Sequence, residues 1–118
     1  MKLSVRDAVE TARQLFSKDA RVQAIQKRLG DRASMMAQMT EKQYVCRVGI
    51  YVGYSPQLRE KRGHVSVADE GAEMPCIVYC DISLTTGVCS EIAVLHSLGD
   101  IEGLEKTVDE AYIRRYGL

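Results

Sequence analysis

From Tyr44 to Tyr54 the even positions read Tyr, Cys, Val, Ile, Val, Tyr, while the odd positions carry Arg47, two glycines and Tyr51. Alternation over that length predicts a half-buried strand at 44–54. A second strand is predicted at 76–84, where Cys76, Val78, Cys80, Ile82 and Leu84 share one face and Tyr79, Asp81 and Ser83 the other. Val65 and Val67 suggest a short third strand, followed by an acidic loop at Asp69, Glu70 and Glu73. Helical spacing dominates elsewhere. Ser4 and Asp7 resemble a capping box ahead of Val5, Ala8, Val9, Ala12, Leu15 and Phe16. A second helix starts near Ser17 or Asp19 and turns Val22, Ile25 and Leu29 inward. Beyond Gly30, Asp31 caps a helical continuation carrying Met35, Met36 and Met39 as adaptable core fillers. Pro and Gly punctuation makes Ser55–His64 an exposed loop. Thr85-Thr86-Gly87 leads into a helix from about Val88 to Leu98, and Asp100 caps a last helix with Ile101, Leu104, Val108, Ala111 and Tyr112 as its apolar stripe. The order α-α-β-β-β-α-α predicts a single α+β domain over 1–118, with a mainly antiparallel sheet.

Composition narrows the class. The chain has 118 residues, of which 46% are apolar and 27% charged, with 9 Gly and 2 Pro. Those values exclude collagen-like and largely disordered chains. No apolar run approaches the ~20 residues of a membrane helix, and the charged start at Met1–Asp7 lacks a signal-peptide core. The expectation is a cytoplasmic protein with no membrane partner. The net charge of zero hides an asymmetry. Residues 1–62 hold 13 Lys and Arg against 6 Asp and Glu, a net of +7, and residues 63–118 hold 3 against 10, a net of −7. Either the halves pair their charges across the fold, or the molecule is a strong dipole that favours its own copies or a polyanion.

The strand phase puts Cys46, Cys76 and Cys80 in the core, as free thiols in a reducing compartment. Cys76 and Cys80 stand four apart on one strand face, ~13 Å between Cα atoms, too far to share a zinc ion. With no CxxC pair in the chain, no metal site and no cofactor are expected. The strongest place for chemistry is the predicted strand-to-helix turn at 85–91. Free N–H groups at Thr85, Thr86 and Gly87 suit an anion or small ligand, and the helix dipole would lower the pKa of Cys89. Glu91 and His96 are the weak catalytic candidates beside it, although His96 lies two helical turns on, ~10 Å away. The simpler reading of Cys89 is a small residue in a first helical turn. Asp81, inside an apolar strand, needs a partner, and Arg47 faces the same way from its own strand.

Val88-Cys89-Ser90-Glu91-Ile92-Ala93-Val94-Leu95 resembles the Cys-Ala-Glu helix start of cytidine deaminases, in which the Cys binds zinc and the Glu moves protons. That family completes its zinc site with a later Pro-Cys-x-x-Cys helix. Here no cysteine follows Glu91, and the one Pro-Cys, at Pro75-Cys76, precedes the motif and runs Cys-x-x-x-Cys. The resemblance spans about a tenth of the chain and the deaminase activity is not carried over with it.

Three functions fit, in this order. The first is a non-enzymatic interaction or assembly protein, forming a homo-oligomer or docking on another protein. Arg47, Tyr51 and Tyr79 on the second sheet face, with Arg59, Lys61 and Arg62 in the basic loop, are its interface candidates, and Gly49 and Gly53 permit close approach. The second is a small ligand-binding or thiol-dependent enzyme centred on Cys89 and the 85–91 turn. The third is a nucleic-acid-associated protein using the basic N-terminal half, disfavoured by the neutral overall charge and the absence of an aromatic-basic motif.

Overall fold

Ser4 opens helix α1 (Val5–Lys18) with the reciprocal cap its spacing suggests: Asp7 N donates to Ser4 Oγ at 3.1 Å, and Ser4 N to Asp7 Oδ2 at 3.0 Å. Asp19 starts α2 (Ala20–Leu29) by accepting from the N–H groups of Arg21 and Val22, and Gly30, at φ +56°, ends it. The computed structural model describes residues 3–42, 44–62 and 74–118. The short strand expected at Val65 and Val67 and the acidic loop at 69–73 lie outside them.

After a 3-10 turn at Gly30–Arg32 the chain enters strand β1 (Ala33–Met39). The helical continuation expected at Met35, Met36 and Met39 is therefore a strand. It pairs antiparallel with β2 (Val45–Val52), from Ala33 opposite Val52 to Met39 opposite Cys46. Helix propensity at these methionines yields to the demand of β2 for a hydrogen-bonding neighbour. Tyr44, expected to begin the strand, sits in the preceding turn at φ +65°. The loop expected at 55–64 is helical in its described part, α3 (Pro56–Arg62). Proline at a first helical position loses no hydrogen bond, and half-buried Leu58 anchors the helix on the core.

β3 (Cys76–Ser83) pairs antiparallel with β2, and β4 (Ala93–Val94) pairs with β3. The helix expected from Val88 to Leu98 is absent. Instead the chain turns at Gly87, φ +78°, where Gly87 N donates to Ser83 O at 2.8 Å. It then runs back along β3: Ser90 N donates to Asp81 O at 2.8 Å, Leu95 N to Ile77 O at 2.7 Å, and Cys89 bridges Ile82. A 3-10 turn at Leu98–Asp100 starts the last helix, α4 (Ile101–Tyr116). The described fold is α+β, with a four-stranded antiparallel meander, β1-β2-β3-β4, where three strands were expected.

Helices cover one face of this sheet. Ala8, Ala12 and Phe16 of α1, Val22, Ile25 and Leu29 of α2, and Ile101, Val108 and Tyr112 of α4 are buried with Val48, Ile50, Cys80 and Ile82 of the strands. The other face carries Ser34, Met36 and Gln38 of β1, Arg47, Gly49 and Tyr51 of β2, and Tyr79 and Asp81 of β3. One register shift changes a cysteine's side. Ile50 opposes Val78 but Tyr51 opposes Cys76, so Ile77 is an extra residue in β3 and Cys76 moves to the Tyr51 face. The expectation that Cys76 points into the helix-covered core is thereby corrected; Cys46 and Cys80 do point there, fully buried.

Charges of the two halves meet across the fold. Arg28 reaches Glu105 at 2.7 Å, Arg47 reaches Asp81 at 2.8 Å, and Arg32 reaches Asp109 at 3.0 Å and Glu105 at 3.3 Å. Asp109 also accepts from Ser55 N at 3.0 Å, so one carboxylate on α4 ties down the start of β1 and the end of β2. Gly53 donates to Arg32 O at 2.6 Å in the same corner, and a Cβ at Gly53 would lie 2.9 Å from that oxygen. Asp109→Ala leaves Arg32 half-buried without its main acceptor and should cost about 2–3 kcal/mol. Urea unfolding checks this: a loss below ~0.5 kcal/mol, the scale of an ordinary surface substitution, contradicts the clasp.

Candidate functional site

The residues singled out by sequence fall in two places. On the open sheet face, Arg47 and Asp81 stand directly opposite in the β2–β3 register. The pairing anticipated for them is present and bidentate: Arg47 Nε donates to Asp81 Oδ1 at 2.8 Å and an η nitrogen to Oδ2 at 3.1 Å. The guanidinium also lies 4.0 Å from the ring centroid of Tyr79, whose aromatic face attracts a cation. The hydrogen bond to Asp81 raises the Arg47 pKa above its ordinary value, so the charge is permanent. Ser90 closes the group from the far side by accepting from Asp81 N at 2.8 Å. Arg47, Asp81 and Ser90 line an open cleft of about 690 Å³, with Gln38, Thr40 and Lys42 on the side of the β1–β2 turn.

Tyr51 is only 9% exposed, which removes most of its ring from any contact surface. It packs beside Cys76, whose Sγ donates to Val78 O at 3.3 Å. Gly49 is the space that makes this packing feasible, since a Cβ there would meet Cys76 Sγ at 3.0 Å and Val78 O at 3.0 Å. The glycines expected to admit a partner are thus used by the fold itself. Lys61 is exposed on α3, which also carries Arg59 and Arg62; these basic residues sit on a helix rather than in the loop expected of them.

The second place is the 85–91 turn, and here the structure corrects the expectation. Thr85, Thr86 and Gly87 form a tight turn between antiparallel segments, not a strand-to-helix junction. The N–H groups of Thr86, Gly87 and Val88 are spent locally: Thr86 N donates to Ser83 Oγ, Gly87 N to Ser83 O and Val88 N to Thr86 Oγ1. The free N–H cradle and the dipole expected to activate Cys89 are therefore missing. Cys89 Sγ lies 3.6 Å from Gly87 O, and burial pushes its thiol above the ordinary value. Glu91 is exposed, and His96 lies 3.9 Å from Asp100, with no hydrogen bond to Cys89 among the described residues. The deaminase-like segment lacks the helix on which that family sets its Cys and Glu. Cys76 and Cys80 lie on opposite faces of β3, which separates them as zinc ligands more firmly than strand rise alone.

All four cysteines are free, and burial is the largest cause raising each thiol. The labelling order follows access, not activation. Cys76 and Cys89, both half-buried, should alkylate first at pH 8, more slowly than a peptide thiol, and Cys46 and Cys80 only on unfolding. Mass mapping after a timed iodoacetamide pulse reads this. Cys46 or Cys80 labelling first would show that the β2–β3 faces are assigned the wrong way round.

Arg47, held by Asp81 and lying over the Tyr79 ring, lines the cleft. Scans against protein-family models, curated proteins and solved structures find no match. Among the described residues no helix is long and apolar enough to cross a membrane.

Proposed function

We propose that this chain is a small non-enzymatic interaction protein, which assembles with itself or docks on another protein through its sheet. One observation carries the reading. The helices cover one sheet face, while the other presents Tyr79 and Arg47 locked together with Asp81 beside an open cleft. Tyrosine and arginine are the side chains most enriched at energetic centres of interfaces, and rigidity lowers the entropy lost on docking. The four free thiols support a reducing, cytoplasmic setting.

The test is Tyr79→Ser, which removes the ring but leaves the Arg47–Asp81 pair. Association beyond a pair of copies, followed by light scattering at up to millimolar protein, should weaken at least about tenfold, the equivalent of 1.4 kcal/mol. The melting temperature should move by only a few degrees. Unchanged association in a folded variant would take the docking surface away from this face.

A further inference from the structure

The edge strand β1 shows where two copies would meet. Among the described residues it pairs on one side only, with β2. Natural sheets blunt such an edge with charge, proline, a bulge or brevity. Ala33-Ser34-Met35-Met36-Ala37-Gln38-Met39 has no charge and no proline, runs seven residues, and keeps one register with β2 throughout.

Its hydrogen-bond phase is fixed at both ends. Gly53 N donates to Arg32 O and Thr40 N donates to Val45 O. In an antiparallel ladder the inward-bonding residues alternate, so Ser34, Met36 and Gln38 bond toward β2. Ala33, Met35, Ala37 and Met39 therefore turn their backbone N–H and C=O groups outward. Two copies meeting antiparallel about a two-fold axis normal to the sheet can satisfy all four outward residues in one register only. That register centres on Met36, with Ala33 opposite Met39 and Met35 opposite Ala37 of the other copy. A slip of two residues either way leaves an outward residue beyond the partner strand.

Side chains agree with the same register. On the helix-covered face each methionine meets an alanine, and on the open face Ser34 meets Gln38 while Met36 meets itself. At the strand ends Asp31 and Arg32 of one copy approach Glu41 and Lys42 of the other, so both signs are present at each junction. We propose that two copies of this chain join edge to edge through β1, antiparallel and centred on Met36, into one continuous eight-stranded sheet. The inference rests on the interaction reading and specifies its partner and contact. Because the axis is normal to the sheet, both open faces lie on one side of the dimer and offer two Arg47–Tyr79 sites to a common target.

Met36→Lys and Met36→Glu place like charges roughly 4.5 Å apart in Cα terms when each pairs with itself. Sedimentation equilibrium should show each variant as a folded monomer at micromolar concentration, and their equimolar mixture as a dimer. Association of each variant at wild-type strength, or folded variants that stay monomeric when mixed, overturns the edge pairing. A second measurement holds even if a charge in the strand impairs folding. Met36→Cys should give a 36-to-36 disulfide under mild oxidation, because a non-hydrogen-bonded antiparallel pair has disulfide spacing, and Gln38→Cys should give no 38-to-38 bridge. An associating wild type without the 36-to-36 bridge overturns the edge contact and leaves the interaction reading standing. A wild type that is monomeric at every concentration, with no bridge formed, overturns the edge pairing and the self-assembling form of the interaction reading.

Discussion

Tyr112→Ala should destabilise the fold by about 3–5 kcal/mol, the cost of a large aromatic removed from a core that cannot collapse around the gap. Tyr112 is fully buried on α4, its ring 4.2 Å from Tyr54 and 4.8 Å from Tyr116 between centroids. Tyr54 follows β2 directly, so this cluster holds α4 against the end of the sheet. Tyr112→Phe separates ring from hydroxyl. Among the described residues Tyr112 Oη is buried without a hydrogen-bond partner, so deleting it should be neutral or stabilise by up to about 1 kcal/mol. Urea unfolding of both variants reads the difference. A loss below about 1.5 kcal/mol for the alanine variant means that α4 is held elsewhere.

Alkali should expose a second large effect, at Cys80. Burial, first among its causes, pushes this thiol from the ordinary 9.0 up to about 12. The folded state keeps its proton through a range in which the unfolded chain has lost it. Stability is therefore complete below pH 9 and declines as pH rises from 9 through 12. At 1.36 kcal/mol per unit, the full loss is on the order of 4 kcal/mol. Tyrosine and lysine also titrate there, so the decisive comparison is with Cys80→Ala. That variant should lose about 1 kcal/mol at neutral pH by truncation and show a shallower alkaline decline. Parallel alkaline limbs for the two proteins would contradict the assignment of the decline to this thiol.

How far the sequence carried depended on whether a signal was local. The Ser4–Asp7 cap, the alternation of β2 and the Arg47–Asp81 pair involve neighbours or one strand register, and all were legible. Met35, Met36 and Met39 fit a helical stripe, but Ala33, Met35, Ala37 and Met39 also alternate. Only the need of β2 for a neighbour decides between them, and that need is tertiary. At 85–98 the β-branched Val88, Ile92 and Val94 after Thr85-Thr86-Gly87 were a hairpin signal, masked because a short apolar run fits either period. The bulge at Ile77 left no mark, since the alternation continues unbroken through Cys76; its consequence, Cys76 beside Tyr51, could not be foreseen. Cys89 lost its predicted role for the same reason as the turn. An activated thiol requires the helix dipole, and strand pairing supplies none.

The central claim is that this chain associates with its own copies. Its mass in solution tests that most directly. Sedimentation equilibrium of the wild-type protein from one to one hundred micromolar, at physiological salt, should give a mass that rises with concentration toward twice that of the chain. A monomer mass across the whole range, from protein that is folded by circular dichroism, would contradict it.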